Sequence, residues 1–325
     1  MTTRLRTVLL ATLLATLAEI GAAEDILRVG IIGLDTSHVI AFTKAMNDPQ
    51  ATGHLGRCRV VAAYPKGSPD IESSVVRVPM YTRQMKEMGV TIVASIDALL
   101  SQVDAVLLET NDGRPHLEQA MPCFRAGKPV FIDKPIAGSL ADAVALFNAA
   151  KQHDAPMFSS SSLRYGKNSQ AARDGALGKI KRCQTHSPAT IEKTHPDLFW
   201  YGIHGVESLF TVLGPDCISA RRAKTADGKI EVTGRWKNGA IGVFREGQGY
   251  GGAAEGSKGK GPVGAYDGYK PLVVEIARFF CTREIPVDRA ETLAIYAFME
   301  AADESKRQGG AEVTLEAVLT KARRK

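Results

Sequence analysis

From Leu27 onward, short apolar runs rich in β-branched residues alternate with stretches of helical periodicity. Strands are predicted at Arg28 to Ile32, Arg59 to Ala63, Ala105 to Glu109, Val130 to Ile132 and Pro156 to Ser159. Helices are predicted at Val39 to Met46, Gln84 to Met88, Ile96 to Leu100, Pro115 to Ala126 (closed by Gly127) and Leu140 to Gln152. Strands whose apolar residues run on unbroken, separated by helices, belong to a parallel sheet covered on both faces. The expectation is α/β, with a doubly wound, dinucleotide-binding type of domain over residues 24–160.

After Arg164 the texture changes. Ile230 to Trp236 and Ala240 to Arg245 alternate apolar and polar positions around Lys237-Asn238-Gly239, a hairpin-turn signal. Leu272 to Phe280 and Ala290 to Ser305 read as helices. Residues 161–325 are therefore expected to form an α+β domain around a mainly antiparallel sheet. Gly247 to Gly264 carries too few apolar groups to pack and is expected to be a mobile loop.

Composition changes the picture mainly at the N-terminus. Arg4 and Arg6, the apolar stretch Val8 to Leu17, and Gly21-Ala22-Ala23 have the layout of a secretion leader (residues 1–23) cleaved near Ala23. Leu5 separates the two arginines, so the leader points to unfolded, Sec-type export. The apolar stretch is too short to span a bilayer, and no later one is long enough. The mature chain is expected to be secreted or periplasmic, without a membrane span. Removing Arg4, Arg6 and Glu19 with the leader takes the formal net charge from +6 to +5. So small a surplus, with no Lys/Arg cluster interleaved with aromatics, gives no expectation of a nucleic-acid partner. Lys179-Ile180-Lys181-Arg182 and Arg323-Arg324-Lys325 read as exposed turn and tail. Five scattered cysteines without CxxC or metal-type spacing read as buried single thiols.

The run Gly30-Ile31-Ile32-Gly33-Leu34-Asp35-Thr36-Ser37-His38 stands where a dinucleotide fingerprint belongs, on the first strand–turn–helix unit. Gly33 can make the tight turn. The positions that let backbone approach a pyrophosphate and pack the helix are Asp35 and His38. A carboxylate at a helix N-terminus competes with pyrophosphate for the same amides, unless it serves as an N-cap. The acid expected after the second strand is also absent, and Tyr64 and Lys66 stand there instead. Candidate cofactor contacts are Gly30, Gly33, Leu34, Asp35, Thr36, Ser37 and His38, with Thr110 and Asn111 after the next strand. His116 closes that second loop and is a candidate ligand contact.

Ala126-Gly127-Lys128-Pro129-Val130-Phe131-Ile132-Asp133-Lys134-Pro135-Ile136-Ala137 resembles the acid–lysine–proline segment of the Gfo/Idh/MocA family. The resemblance extends over nearly all of the mature chain. It implies a Rossmann domain followed by an α+β domain with an open, mostly antiparallel sheet. It also implies NAD or NADP as cofactor, a sugar or polyol CH–OH substrate, and a possible homo-oligomer. Asp133 and Lys134 would border the cofactor, and Lys134 would assist proton transfer. The family's second signature is an aspartate, a glycine, a histidine and an acid on one helix. Gly202, His204 and Glu207 match its last three members, while Trp200 stands at the first.

His204, with Lys134, would then take the hydroxyl proton. Trp200 and Tyr201 offer flat faces to a sugar ring, and Arg164, Glu207 and His116 complete the candidate substrate contacts. A metal reading groups His204 and Glu207 with His195 or Asp197, but no tight metal spacing supports it and no metal is expected. Two functions follow. One is an exported NAD(P)-dependent oxidoreductase. The other keeps the fold without redox chemistry, as an extracytoplasmic carbohydrate lyase or hydrolase, cofactor-independent or metal-assisted, or as a sugar-binding protein.

Overall fold

The computed structural model describes residues 26–324, so the leader lies outside the described residues. Six parallel strands form the first sheet: β1 (Leu27–Ile32), β2 (Cys58–Tyr64), β3 (Thr91–Ile92), β4 (Ala105–Leu108), β5 (Val130–Ile132) and β6 (Met157–Ser159). Their order is β3-β2-β1-β4-β5-β6. Every residue of β4 and β5 is buried, as helices on both faces require. Those helices are α1 (His38–Met46), α2 (Gly53–Gly56), α3 (Glu72–Glu87), α4 (Ile96–Leu100), α5 (His116–Arg125) and α6 (Leu140–Gln152). Ser95 and Ser139 cap α4 and α6 by accepting from the amides of Ala98 and Asp142. The chain crosses from one side of β1 to the other between β3 and β4, which opens a crevice at the carboxyl ends of β1 and β4.

Helix α3 begins twelve residues before the predicted Gln84. Only Ser74 and Met85 among its 16 residues are buried, and Pro79 lies inside it, so no apolar stripe announces it.

The second sheet has the order β12-β11-β7-β10-β9-β8-β13. Its strands are β7 (Ile180–Ser187), β8 (Cys217–Lys224), β9 (Ile230–Trp236), β10 (Ile241–Glu246), β11 (Gly251–Gly256), β12 (Gly259–Pro262) and β13 (Val313–Thr314). All neighbours are antiparallel except β7 and β10. Two expectations are corrected here. Lys179 to Arg182 is not an exposed turn but leads into β7. Gly247 to Gly264 is not a mobile loop: it forms the β11–β12 hairpin on the edge of β7. Its glycines serve close pairing, since a Cβ on Gly252 would sit 2.1 Å from the Gln184 carbonyl oxygen.

Around this sheet lie α7 (Lys167–Arg173), α8 (Ile203–Leu213), α9 (Lys270–Thr282), α10 (Arg289–Arg307) and α11 (Leu315–Ala322). Phe210 of α8 and Phe298 of α10 meet on Trp236 of β9 in its core. Helix α9 instead returns to the first sheet, where Leu272, Ile276 and Phe279 join the core of Val29, Phe42 and Phe131. The two sheets are tied instead through the other core, where Ile132 and Ile136 belong to the same apolar cluster as Val206, Leu209 and Phe244. None of the five cysteines forms a disulfide, and four are buried. No described helix is long and apolar enough to cross a membrane.

Candidate active site

The acid–lysine–proline segment follows β5 directly and carries Lys134 to the crevice. Two struts hold it there: Tyr296 Oη accepts from the Ile136 amide at 2.7 Å, and His116 Nδ1 lies 3.0 Å from the Ile136 carbonyl. The other His116 nitrogen is 2.7 Å from the Thr110 carbonyl; the neutral ring has one N–H, so it donates to one of these two carbonyls and packs against the other, between the loops after β4 and β5. His116 is fully buried, and burial holds its pKa below the ordinary value. It is a positioning residue, not the substrate contact expected from sequence.

From the other sheet, α8 brings His204. Lys134 and His204 line one cavity of about 240 Å³, together with Thr36, Ser37, His38, Asn111, Trp200 and Tyr201. That is room for a single small ring, below the roughly 300–1,000 Å³ of drug-sized pockets. Lys134 Nζ lies 5.8 Å from the centroid of the Tyr201 ring, a cation–π contact. His204 Nδ1 is 2.7 Å from Ser161 Oγ. Burial first, then the positive charges of Lys134 and His38, hold the His204 pKa well below its ordinary value. The ring is therefore neutral at pH 7 and can accept a proton.

Arg164 and Glu207 lie behind the cavity wall rather than on it. Glu207 receives Arg164 Nε at 2.8 Å, Ser160 Oγ at 2.6 Å and the Ser161 amide at 2.9 Å. Arg164 also reaches Glu291 at 2.7 Å. This buried network fixes Ser161, and through it His204. The proposed metal grouping is not assembled either: Asp197 pairs with Arg222 and Lys306, and His195 lies against Asp112.

In the glycine loop, Gly33 has φ of +90°, and a Cβ there would lie 2.4 Å from the Thr110 amide nitrogen. Gly30 lies within β1 against the Leu99 side chain, not on the crevice as expected. Leu34 is fully buried and its amide donates to the Lys66 carbonyl. Asp35 does not cap α1. Its carboxylate turns inward and accepts from the Asn111 amide at 2.8 Å and Ser74 Oγ at 2.7 Å. Burial raises its pKa to about 6.

Several lining residues had no signal in the sequence. Ser73 and Arg77 come from the unforeseen α3, Tyr250 from the segment before β11, and Tyr266 and Tyr269 from the approach to α9. Tyr250 packs edge-on to His204, with ring centroids 5.8 Å apart.

Fold and crevice define a dinucleotide-fold domain joined to an open-sheet domain, with a two-sided polar site between them. Residues 27–160 match the family described as an oxidoreductase family with an NAD-binding Rossmann fold. Over these residues the chain is similar to the Gfo/Idh/MocA oxidoreductases. An uncharacterised oxidoreductase of Streptococcus pneumoniae is 26% identical over 121 residues; the match spans 35% of this chain and 32% of that protein's length. A probable dehydrogenase from Thermotoga maritima superposes with a TM-score of 0.72 at 20% identity, covering 90% of this chain and 100% of that one. The myo-inositol dehydrogenase of Lactobacillus casei, solved with NAD(H) and myo-inositol, gives 0.68 at 15% identity, covering 89% and 96%. At such identities the structures establish a shared fold.

Proposed function

We propose that the protein is an exported NAD(P)-dependent oxidoreductase acting on a CH–OH carbon of a sugar, polyol or related substrate. Lys134 and His204 handle the hydroxyl proton. The meeting of these two side chains, one from each sheet, in one cavity carries the reading. The residues fit the cofactor in one decisive respect. The Asp35 carboxylate, which would repel a pyrophosphate, is held inside the protein by Asn111 and Ser74. Thr36 and Ser37 at the positive end of α1, with Asn111 and Arg77, are the cavity groups that would hold an anionic cofactor. When bound, the nicotinamide supplies the hydride acceptor or donor.

The chain does the rest. Neutral His204 accepts the proton of the substrate hydroxyl, and the Lys134 ammonium stabilises the negative charge that grows on that oxygen. When Ser161 Oγ accepts from Nδ1–H, Nε2 carries the free lone pair. Tyr201, Tyr250 and Trp200 provide ring faces for a carbohydrate.

Calorimetric titration of the mature protein with NAD+ and NADP+, followed by a panel of polyols and sugars, tests the reading. Binding of one dinucleotide below about 1 mM is expected; no binding of either removes it. Export rests on the leader sequence, and N-terminal sequencing of the protein from the producing cells tests it. A cytoplasmic chain with its leader intact would remove that part.

One observation favours the cofactor-independent lyase or hydrolase instead. His38, at the third fingerprint position, presents a second imidazole to the cavity, with its Nδ1 2.7 Å from Asp133. Turnover of a glycoside by protein freed of nicotinamide would select that alternative.

A further inference from the structure

The carboxyl ends of β4 and β5 and the first residue of α1 bring together Glu109, Asp133 and His38. One donor atom from each lies within 4.8 Å of the other two. His38 Nδ1 is 2.7 Å from an Asp133 oxygen and 3.9 Å from a Glu109 oxygen. Both carboxylates are fully buried. Both Glu109 oxygens lack a hydrogen-bond partner, while Asp133 has only the 2.7 Å contact with His38 Nδ1 and the adjacent Lys134 amide, neither well aligned.

Two fully buried carboxylates side by side, one of them without any donor, is an expensive arrangement. Buried carboxylates are normally hydrogen-bonded, paired, or bound to a metal. The Lys134 charge lies near both carboxylates, yet it leaves Glu109 without a hydrogen bond. A single small cation at the centre would take one donor atom from each residue, Glu109 included, and two carboxylates would balance its double charge.

We propose that His38, Glu109 and Asp133 bind one divalent first-row cation of the zinc or manganese kind. One imidazole nitrogen with two carboxylates is a donor set suited to these ions. Three protein ligands leave a coordination position for water or a substrate oxygen. The cavity adjoins it, since His38 lines that cavity and Lys134 follows Asp133. The ligands stand at positions 38, 109 and 133, so no local motif reveals them; the fold alone assembles the trio. The inference does not rest on the redox reading, because no part of it uses a nicotinamide.

The test uses mature protein purified without a metal-affinity tag. Elemental analysis should find close to one equivalent of zinc or manganese. After chelator treatment, Zn2+ or Mn2+ alone should bind at one site with about micromolar affinity or tighter, and raise the melting temperature. Glu109→Gln and Asp133→Asn should each weaken that binding by at least about a hundredfold while keeping the native circular dichroism spectrum. Stripped wild-type protein that binds neither ion below about 1 mM would overturn the proposal. So would variants that bind as tightly as wild type. If neither variant folds, the wild-type titration decides alone; only if it shows no binding does a Glu109 proton shared with Asp133 become the account of the cluster.

Discussion

Arg164 Nε meets Glu207 Oε1 at 2.8 Å inside the wall behind the cavity, and the same carboxylate holds the Ser161 amide. Glu207 thus bears on the cavity only by positioning Ser161 and, through it, His204. Glu207→Gln removes its charge and leaves Arg164 half-compensated by Glu291. Loss of one member of a buried pair costs about 3 kcal/mol, so urea unfolding should show a destabilisation of that order. A change under about 0.5 kcal/mol would mean that the network does not bear on stability.

Lys134→Met keeps the length of the side chain and removes its charge. If the ammonium stabilises charge on the reacting oxygen, kcat should fall by about 10²- to 10⁴-fold while ligand affinity changes little. Steady-state kinetics together with direct ligand titration separate the two. A variant that loses affinity but keeps kcat would assign Lys134 to binding alone.

Lys134 and His204 were legible because each stands in a local signature, one after a β-branched run and one on a helix. The first sheet was legible for a similar reason: fully buried strands leave unbroken apolar runs. The remainder depends on contacts distant in sequence. Arg164 and Glu207 look like ligand contacts in one dimension, yet 43 residues apart they satisfy each other. Gly252 and Gly256 of β11 look like slack, because the sequence does not show the Gln184 and Leu177 carbonyls they must approach. Asp35 looked like a barrier to phosphate because its acceptors' partners, Asn111 and Ser74, lie on other elements.

Tyr250 shows what the hairpin contributes. Its ring stands edge-on to His204 and lines the cavity. Tyr250→Ala should raise KM by about 5- to 10-fold, the worth of one aromatic contact, with kcat reduced less. An unchanged KM would place the ring outside the substrate's reach.

His204 should stay neutral well below pH 6.5, because burial and the positive charges of Lys134 and His38 oppose its protonation. The acid limb of kcat/KM due to this group should therefore fall below its ordinary titration range. Lys134→Met removes one of those charges, so the His204 pKa should rise towards its ordinary value. NMR titration of the His204 ring in both proteins measures this directly, without turnover. An unchanged or lower value in the variant would separate the two side chains electrostatically.

Asp35 has its own pH signature. Burial raises its folded-state pKa to about 6, above the usual carboxylate value in an unfolded chain. Between about pH 4 and pH 6 the folded protein retains a proton that the unfolded chain has released, so stability falls as pH rises through that window. A shift of about two units corresponds to roughly 3 kcal/mol. Asp35→Asn cannot ionise, keeps an oxygen for the Asn111 amide, and can donate to Ser74 Oγ. The variant should gain stability relative to wild type by roughly that amount between pH 4 and pH 7. Asp303, also raised to about 6, titrates in both proteins and cancels from the difference. Urea unfolding across this range supplies the measurement, and a difference that stays flat with pH would show that the Asp35 carboxylate is not ionising inside the protein.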